Sequence, residues 1–184
     1  MRTAEYQGPG TFHPGLGWAL LDAGVVWHSG GGPGIGSVVY AHPASKTAIA
    51  VLTNAGYGSI DRTFVSPIFE AVAGMKPLGS ATAELLKKAT DAPVDPVPYV
   101  GQYESIVTSA RVVALGSGIG YVSRSKFAVY DTSVTKEPPP APLRPIGAGL
   151  FAFGASGLIG FVNPDPSGKM GQVAVGGRLL RRVS

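Results

Sequence analysis

Residues 25–53 read VVWHSGGGPGIGSVVYAHPASKTAIAVLT, apolar runs on either side of a glycine-rich stretch. Val25-Val26-Trp27-His28 reads as a strand, Ser37-Val38-Val39-Tyr40-Ala41 as a second and residues 47–53 as a third. The last two are continuous apolar runs with β-branched residues, as expected where a sheet is covered on both faces. His42-Pro43-Ala44-Ser45-Lys46 supplies the turn between them. Residues 29–36 hold five glycines and one proline, which excludes regular helix and reads as a loop. Upstream, residues 15–21 read as a strand, and Asp22-Ala23-Gly24 between two apolar runs is a hairpin signal. Residues 1–14 are polar, Gly/Pro-rich loop, so the region reads as an antiparallel meander.

Downstream, Phe64, Val65, Ile68, Phe69 and Val72 recur at helical spacing after Asp61, a suitable N-cap. Pro67 within that pattern implies a kink. A short helix is expected over 82–89, followed by the extended linker Asp91-Ala92-Pro93-Val94-Asp95-Pro96-Val97-Pro98. From Tyr99 the pattern changes to short alternating runs at 99–103, 111–115, 121–130, 150–153, 158–162 and 172–175. Gly, Pro, Ser and Asp separate them, and Glu137-Pro138-Pro139-Pro140-Ala141-Pro142 is the longest interruption. Evenly spaced short strands without helices suggest a small barrel or sandwich. The expected fold class is therefore α+β. A partial antiparallel sheet with a C-terminal helix occupies residues 1–90, a linker 91–98, and a small all-β barrel-like domain 99–184.

Composition narrows the function classes. Hydrophobic residues make up 45% of the 184 and charged residues 14%, the balance of a folded, well-buried chain. The net charge of +4 lies entirely in residues 95–184, which carry nine basic and five acidic side chains. Those cations are scattered apart from Arg178, Arg181 and Arg182, so a nucleic-acid partner is not expected. With no cysteine there is no disulfide, thiol nucleophile or thiolate metal site. His13, His28 and His42 lack metal-ligand spacing, His13 and His42 each preceding a proline in a solvated loop, so neither metal nor cofactor is called for. Asn163-Pro164-Asp165-Pro166-Ser167-Gly168 reads as a hairpin turn rather than a calcium loop. No membrane span is expected, the apolar runs at 47–52 and 147–153 being far too short. The start shows no signal peptide, which says nothing about export if Met1 is an internal start.

Gly15-Leu16-Gly17-Trp18, then His28-Ser29-Gly30, then Leu52-Thr53-Asn54 resemble, in that order, the serine β-lactamase, penicillin-binding protein (D-Ala-D-Ala carboxypeptidase) and esterase superfamily. Its third motif is Lys/His-Ser/Thr-Gly on a strand bordering the active site. The resemblance implies that His28 supplies a hydrogen bond or partial positive charge near the nucleophile. Ser29 would bind the substrate carbonyl or carboxylate, and the backbone N–H of Gly31 would be an oxyanion donor. Gly30 and Gly32 would leave room for the substrate. Pro98-Tyr99-Val100-Gly101-Gln102-Tyr103-Glu104, Leu143-Arg144-Pro145 and Gly160-Phe161-Val162 resemble the lipocalin-like β domain appended to many such hydrolases.

The nucleophile pair Ser-x-x-Lys does not precede these motifs, and Tyr-x-Asn is absent. Ser123-Arg124-Ser125-Lys126 lies in strand-like alternation, and Ser133-Val134-Thr135-Lys136 runs into prolines, so both are decoys. The resemblance thus implies the C-terminal portion of a serine hydrolase acting on a β-lactam, D-amino-acid peptide or ester, inactive alone. A periplasmic or secreted parent enzyme would take that acyl substrate. The alternative is a non-catalytic β-rich binding or interaction module. Residues 48–52 would form an unpaired apolar strand edge, a template for pairing with another chain. Covering ~400 Å² of such surface is worth about 10 kcal/mol before association costs. The isolated chain is therefore expected to self-associate through that edge. Light scattering at tens of micromolar (about the range where exposed edges aggregate) should report oligomers, and a monodisperse monomer refutes this.

Overall fold

A computed structural model describes residues 12–21, 24–32, 34–54, 64–74, 80–126, 137–155 and 157–184. The chain divides into two compact units whose main spans are Thr11–Glu84 and Leu85–Ser184.

In the first unit five antiparallel strands lie in chain order: β1 (Phe12–Pro14), β2 (Ala19–Leu21), β3 (Val26–Gly32), β4 (Ile35–His42) and β5 (Thr47–Thr53). The glycine-rich stretch expected as a loop is mostly strand. Gly30, Gly31 and Gly32 pair with Ser37, Gly36 and Ile35, so the chain reverses between Gly32 and Ile35. Gly34 supplies the positive φ of +74° that such a hairpin needs. Alternation along the strands then sorts the side chains. Trp27, Ser29, Val38, Tyr40, Ile49 and Val51 share one face by register.

Helix α1 (Ser66–Ala73) covers that face. Phe69 and the preceding Val65 form a buried cluster with Val25, Val38 and Tyr40. Trp27 stacks on Tyr40 at 5.8 Å, and Tyr40 meets Phe69 edge-on at 6.4 Å. Pro67 falls in the first turn of the helix, where its missing N–H costs nothing, so the expected kink does not arise. Gly74 ends the helix at φ +62°, its N–H donating to the Glu70 carbonyl at 3.1 Å. The expected N-cap, Asp61, lies outside the described residues. His28, Gly30, Ser37, Ala48, Ala50 and Leu52 lie on the opposite face, where Leu52 is 82% exposed. The apolar edge of residues 48–52 is thus divided: Ile49 and Val51 turn under the helix, leaving two alanines and Leu52 outward.

Helix α2 (Ser80–Leu86) precedes eight antiparallel strands. They are β6 (Gly101–Glu104), β7 (Thr108–Leu115), β8 (Gly118–Ser125), β9 (Ala141–Gly147), β10 (Leu150–Phe153), β11 (Gly157–Pro164), β12 (Met170–Val175) and β13 (Arg178–Arg182). They close into a barrel in the order β10-β11-β12-β13-β6-β7-β8-β9. Its interior is filled by Tyr103, Val112, Ile119, Tyr121, Leu143, Phe151, Ile159, Phe161, Val173 and Leu180. Phe161 meets Tyr99, Tyr103 and Phe151 edge-on at 4.9, 6.0 and 5.6 Å. Such pairs add about 0.5–1.5 kcal/mol each beyond the area they bury. Residues 91–98, expected as an extended linker, run along this barrel. The Val94 N–H donates to the Ser117 carbonyl at 2.9 Å, and the Pro98 carbonyl accepts from the Met170 N–H at 2.7 Å.

The chain is therefore predominantly β, which corrects the α+β class. Its described helices span eight and seven residues, too short to form the α layer of a β-lactamase-like domain. The barrel expected over 99–184 is present and closed. Among the described residues no helix is long and apolar enough to cross a membrane.

The seam of the barrel lies between β13 and β6, where the register pairs Arg181 with Glu104 and Arg182 with Tyr103. The Arg182 guanidinium donates to the carbonyls of Pro98 (3.0 Å), Val100 (2.8 Å), Met170 (2.8 Å) and Ser184 (3.2 Å), and to the Tyr103 hydroxyl (3.0 Å). The Tyr103 hydroxyl in turn donates to the Tyr99 carbonyl at 2.6 Å. A Cβ on Gly101 would collide with the same guanidinium, so the strand passes it only as glycine.

Removing a partner from partly buried carbonyls costs more than the bonds contribute net. Arg182→Ala is expected to destabilise the chain by about 3 kcal/mol and Tyr103→Phe by about 1 kcal/mol, measured by urea denaturation. Burial pushes the Tyr103 hydroxyl up to about 12, against the lowering influence of the Arg182 charge and hydrogen bond. The folded chain thus holds a proton that the unfolded chain releases near pH 10, so stability is full below about pH 10 and falls as pH rises towards 12. Denaturation midpoints across that window should decline for the parent chain, and the decline should be smaller for Tyr103→Phe.

Candidate functional site

The residues singled out from the sequence, His28 to Gly32, all lie on β3, and strand geometry decides what they can do together. His28 pairs with Val39 and Ser29 with Val38, so the two side chains project from opposite faces of the sheet. His28 is exposed on the open face, where the Trp18 ring approaches it edge-on at 6.5 Å. Trp18 is set there by a tight bend, in which the Gly15 N–H donates to the Trp18 carbonyl at 2.7 Å. Gly17 takes φ +76° in that bend. Ser29 is half-buried on the face that α1 covers. The structure therefore separates the two side chains that the motif groups.

Gly30 is on the His28 face, opposite Ser37, whose hydroxyl donates to the Gly30 carbonyl at 3.2 Å. A Cβ at Gly30 would stand 3.2 Å from that hydroxyl, so glycine keeps the floor between them open. Gly31 and Gly32 continue the strand into the turn. On the other side of β3, β2 pairs only with Val26 and Trp27. Beyond Trp27 the outer edge of β3 has no strand partner among the described residues. Along residues 29–32 this edge carries one serine followed by three glycines.

The arrangement offers an imidazole and an indole ring on one face, the Ser37 hydroxyl beside them, and an in-plane row of backbone donors and acceptors. Ser37 is the member that the motif does not name. The register of β3 against β4 places it opposite Gly30.

The other candidates resolve simply. Ser123 and Ser125 lie in the extended strand β8, and residues 133–136 lie outside the described residues. His13 belongs to β1 rather than to a solvated loop, and its Nδ1 is buried without a hydrogen-bond partner. His42 Nδ1 is 2.8 Å from the Ser45 hydroxyl. Asp165 organises the β11–β12 turn: its carboxylate accepts from the Ser167 hydroxyl at 2.6 Å and from the N–H groups of Ser167 and Lys169. Those bonds, the Ser167 hydroxyl foremost, hold its pKa below the usual value. Among the described residues no group of three or more His, Cys, Asp or Glu side chains could hold a metal ion.

No protein-family model matches the chain, and no curated protein matches it. Among solved structures it is similar to a crystal structure of SurE with D-Leu, at 18% identity and a TM-score of 0.52. That match covers 86% of this chain and 35% of SurE, so the chain spans about a third of that protein's length. A second SurE structure matches at 17% identity over 86% of this chain and 34% of that one, with a TM-score of 0.49. At such identity the likeness concerns the fold alone. These findings overturn the resemblance to the β-lactamase, penicillin-binding protein and esterase superfamily: the folds matched are SurE, and the chain forms a barrel and an antiparallel sheet. The reading as the C-terminal portion of a serine hydrolase falls with it. The catalytic roles of His28, Ser29 and Gly31 were implied by that resemblance alone, and the three residues lie in sequence on β3.

Proposed function

We propose that the sheet unit is a recognition element that takes an extended, peptide-like ligand along the open edge of β3. The observation that carries this is the departure of β2 after Trp27, which leaves residues 28–32 of β3 unpaired on one side among the described residues. Natural proteins usually blunt such an edge with lysine, proline or a covering segment. Here residues 29–32 are Ser-Gly-Gly-Gly, so a ligand backbone can approach without meeting a bulky side chain. An added strand would gain main-chain hydrogen bonds, while side-chain pockets would choose among ligands. His28 and Trp18 on one face supply that choice, one polar group and one ring against which an apolar ligand side chain can rest.

The SurE structure contains D-Leu, which makes an apolar D-amino acid at the end of a peptide the first ligand class for this chain. The expected outcome, in a titration of ¹⁵N-labelled chain with D-Leu and a dipeptide ending in D-Leu, is saturable shifts in the amides of residues 28–32. The corresponding L compounds should bind more weakly. His28→Ala should weaken binding about fivefold, near 1 kcal/mol, without moving the denaturation midpoint, because His28 is exposed. Amides of β3 that stay unperturbed at saturating ligand exclude this site.

A further inference from the structure

The barrel carries a concavity on its outer wall that no motif announces. It lies where β13 meets β6 and the β6–β7 turn, measures about 600 Å³ and is lined by residues 104–107, Arg178, Leu179 and Arg181. That volume falls in the range of small-molecule sites, about 300–1,000 Å³.

Its apolar part is a deliberate presentation rather than a loose loop. Ile106 is 85% exposed at the tip of the turn, where burial does not call for an apolar residue. The turn beneath it is well held. The Ser105 hydroxyl accepts the N–H groups of Val107 and Thr108 at 3.3 and 3.1 Å. The Ser105 N–H donates to the Thr108 carbonyl, and the Lys126 N–H to the Val107 carbonyl, each at 2.9 Å. Leu180 points into the barrel core, so Leu179 faces outward and supplies the third apolar surface.

The charged part is unbalanced. Glu104 is engaged by Lys126 at 2.6 Å, which with a Ser109 hydrogen bond holds its carboxyl below the usual value. Neither Arg178 nor Arg181 has a carboxylate partner among the described residues. Arg178 and Arg181, whose guanidinium groups can each grip a carboxylate through two N–H donors, thus line an apolar depression. They stand in the half of the chain that holds the whole surplus of positive charge.

We infer that this depression binds a single-chain amphiphile with a carboxylate head, the chain lying over Ile106, Val107 and Leu179 and the head between Arg178 and Arg181. The site belongs wholly to the barrel and is independent of the proposal for β3.

The test titrates the full ¹⁵N-labelled chain with monomeric decanoate, with decanol and decyltrimethylammonium as head-group controls and phosphatidylglycerol vesicles as a separate arm. Decanoate should bind saturably, with shifts confined to residues 104–107 and 178–181, and at least tenfold more tightly than decanol. The double variant Arg178→Gln/Arg181→Gln should lose at least tenfold in decanoate affinity while its weak decanol binding persists. Ile106→Ser should weaken both ligands several-fold. All these residues are at the surface, and an unchanged denaturation midpoint checks that each variant folds. Equal affinity for decanol and decanoate overturns the proposal, as do shifts located elsewhere. Sedimentation with vesicles in the absence of any decanoate response also overturns it, and assigns the patch to a membrane surface instead.

Discussion

The barrel closes where its first and last strands meet, and at that seam a single guanidinium reaches more of the chain than any ladder bond could. Arg182, the last residue of β13, gathers the carbonyls of Pro98, Val100, Met170 and Ser184 and the hydroxyl of Tyr103. Its charge also lies 5.1 Å from the centre of the Tyr103 ring. The segment that enters the barrel, the strand that follows it and the last residues of the chain are thus held at one point. Other features follow from this knot. Gly101 is bare because the guanidinium occupies its side-chain space. Tyr103 is fully buried, close enough to Phe161 to join the ring cluster that fills the barrel. A core so filled makes the barrel a packed body, and places its ligand-sized concavity on the outer wall instead.

In the sheet unit the governing constraint is alternation. The reversal between Gly32 and Ile35 sets the register of β3 against β4, and that register assigns every side chain to a face. One face receives α1 and becomes a small core around Tyr40 and Phe69. The other keeps His28, Trp18 and Ser37 accessible around a glycine floor. The short β2 lets go of β3 after Trp27, which opens the edge along the glycines. Recognition by backbone pairing is the chemistry that such an edge supports, because its own side chains contribute almost nothing there.

Much of the β architecture is legible in the sequence, and the elements that are not have identifiable reasons. The runs around Val38, Ile49, Val112, Tyr121, Phe151, Ile159 and Val173 signal strands through β-branched and aromatic residues, and each is a strand. β9 escapes because Pro142 and Pro145 interrupt it, and proline normally argues against a paired strand. It is tolerated here on a strand that shares three register pairs with β8 and shifts register against β10. β13 escapes because three of its five residues are arginine, which leaves only Leu179 and Leu180 as an apolar signal. Yet those two strands are what turn a row of strands into a closed barrel.

By itself the sequence determined much of the local conformation: where the β-branched and aromatic strands run, and that α1 buries one side of an i, i+4 pattern. These depend on neighbours a few residues apart, whose sterics and hydrogen bonding are written in order along the chain. Tertiary structure alone decided the closure of the barrel, the convergence of Arg182 on residues up to 84 positions away, and the parting of His28 from Ser29. Each of these depends on which strand lies next to which and in what register. That pairing comes from the packing of whole elements, which the residue types at any one site do not encode.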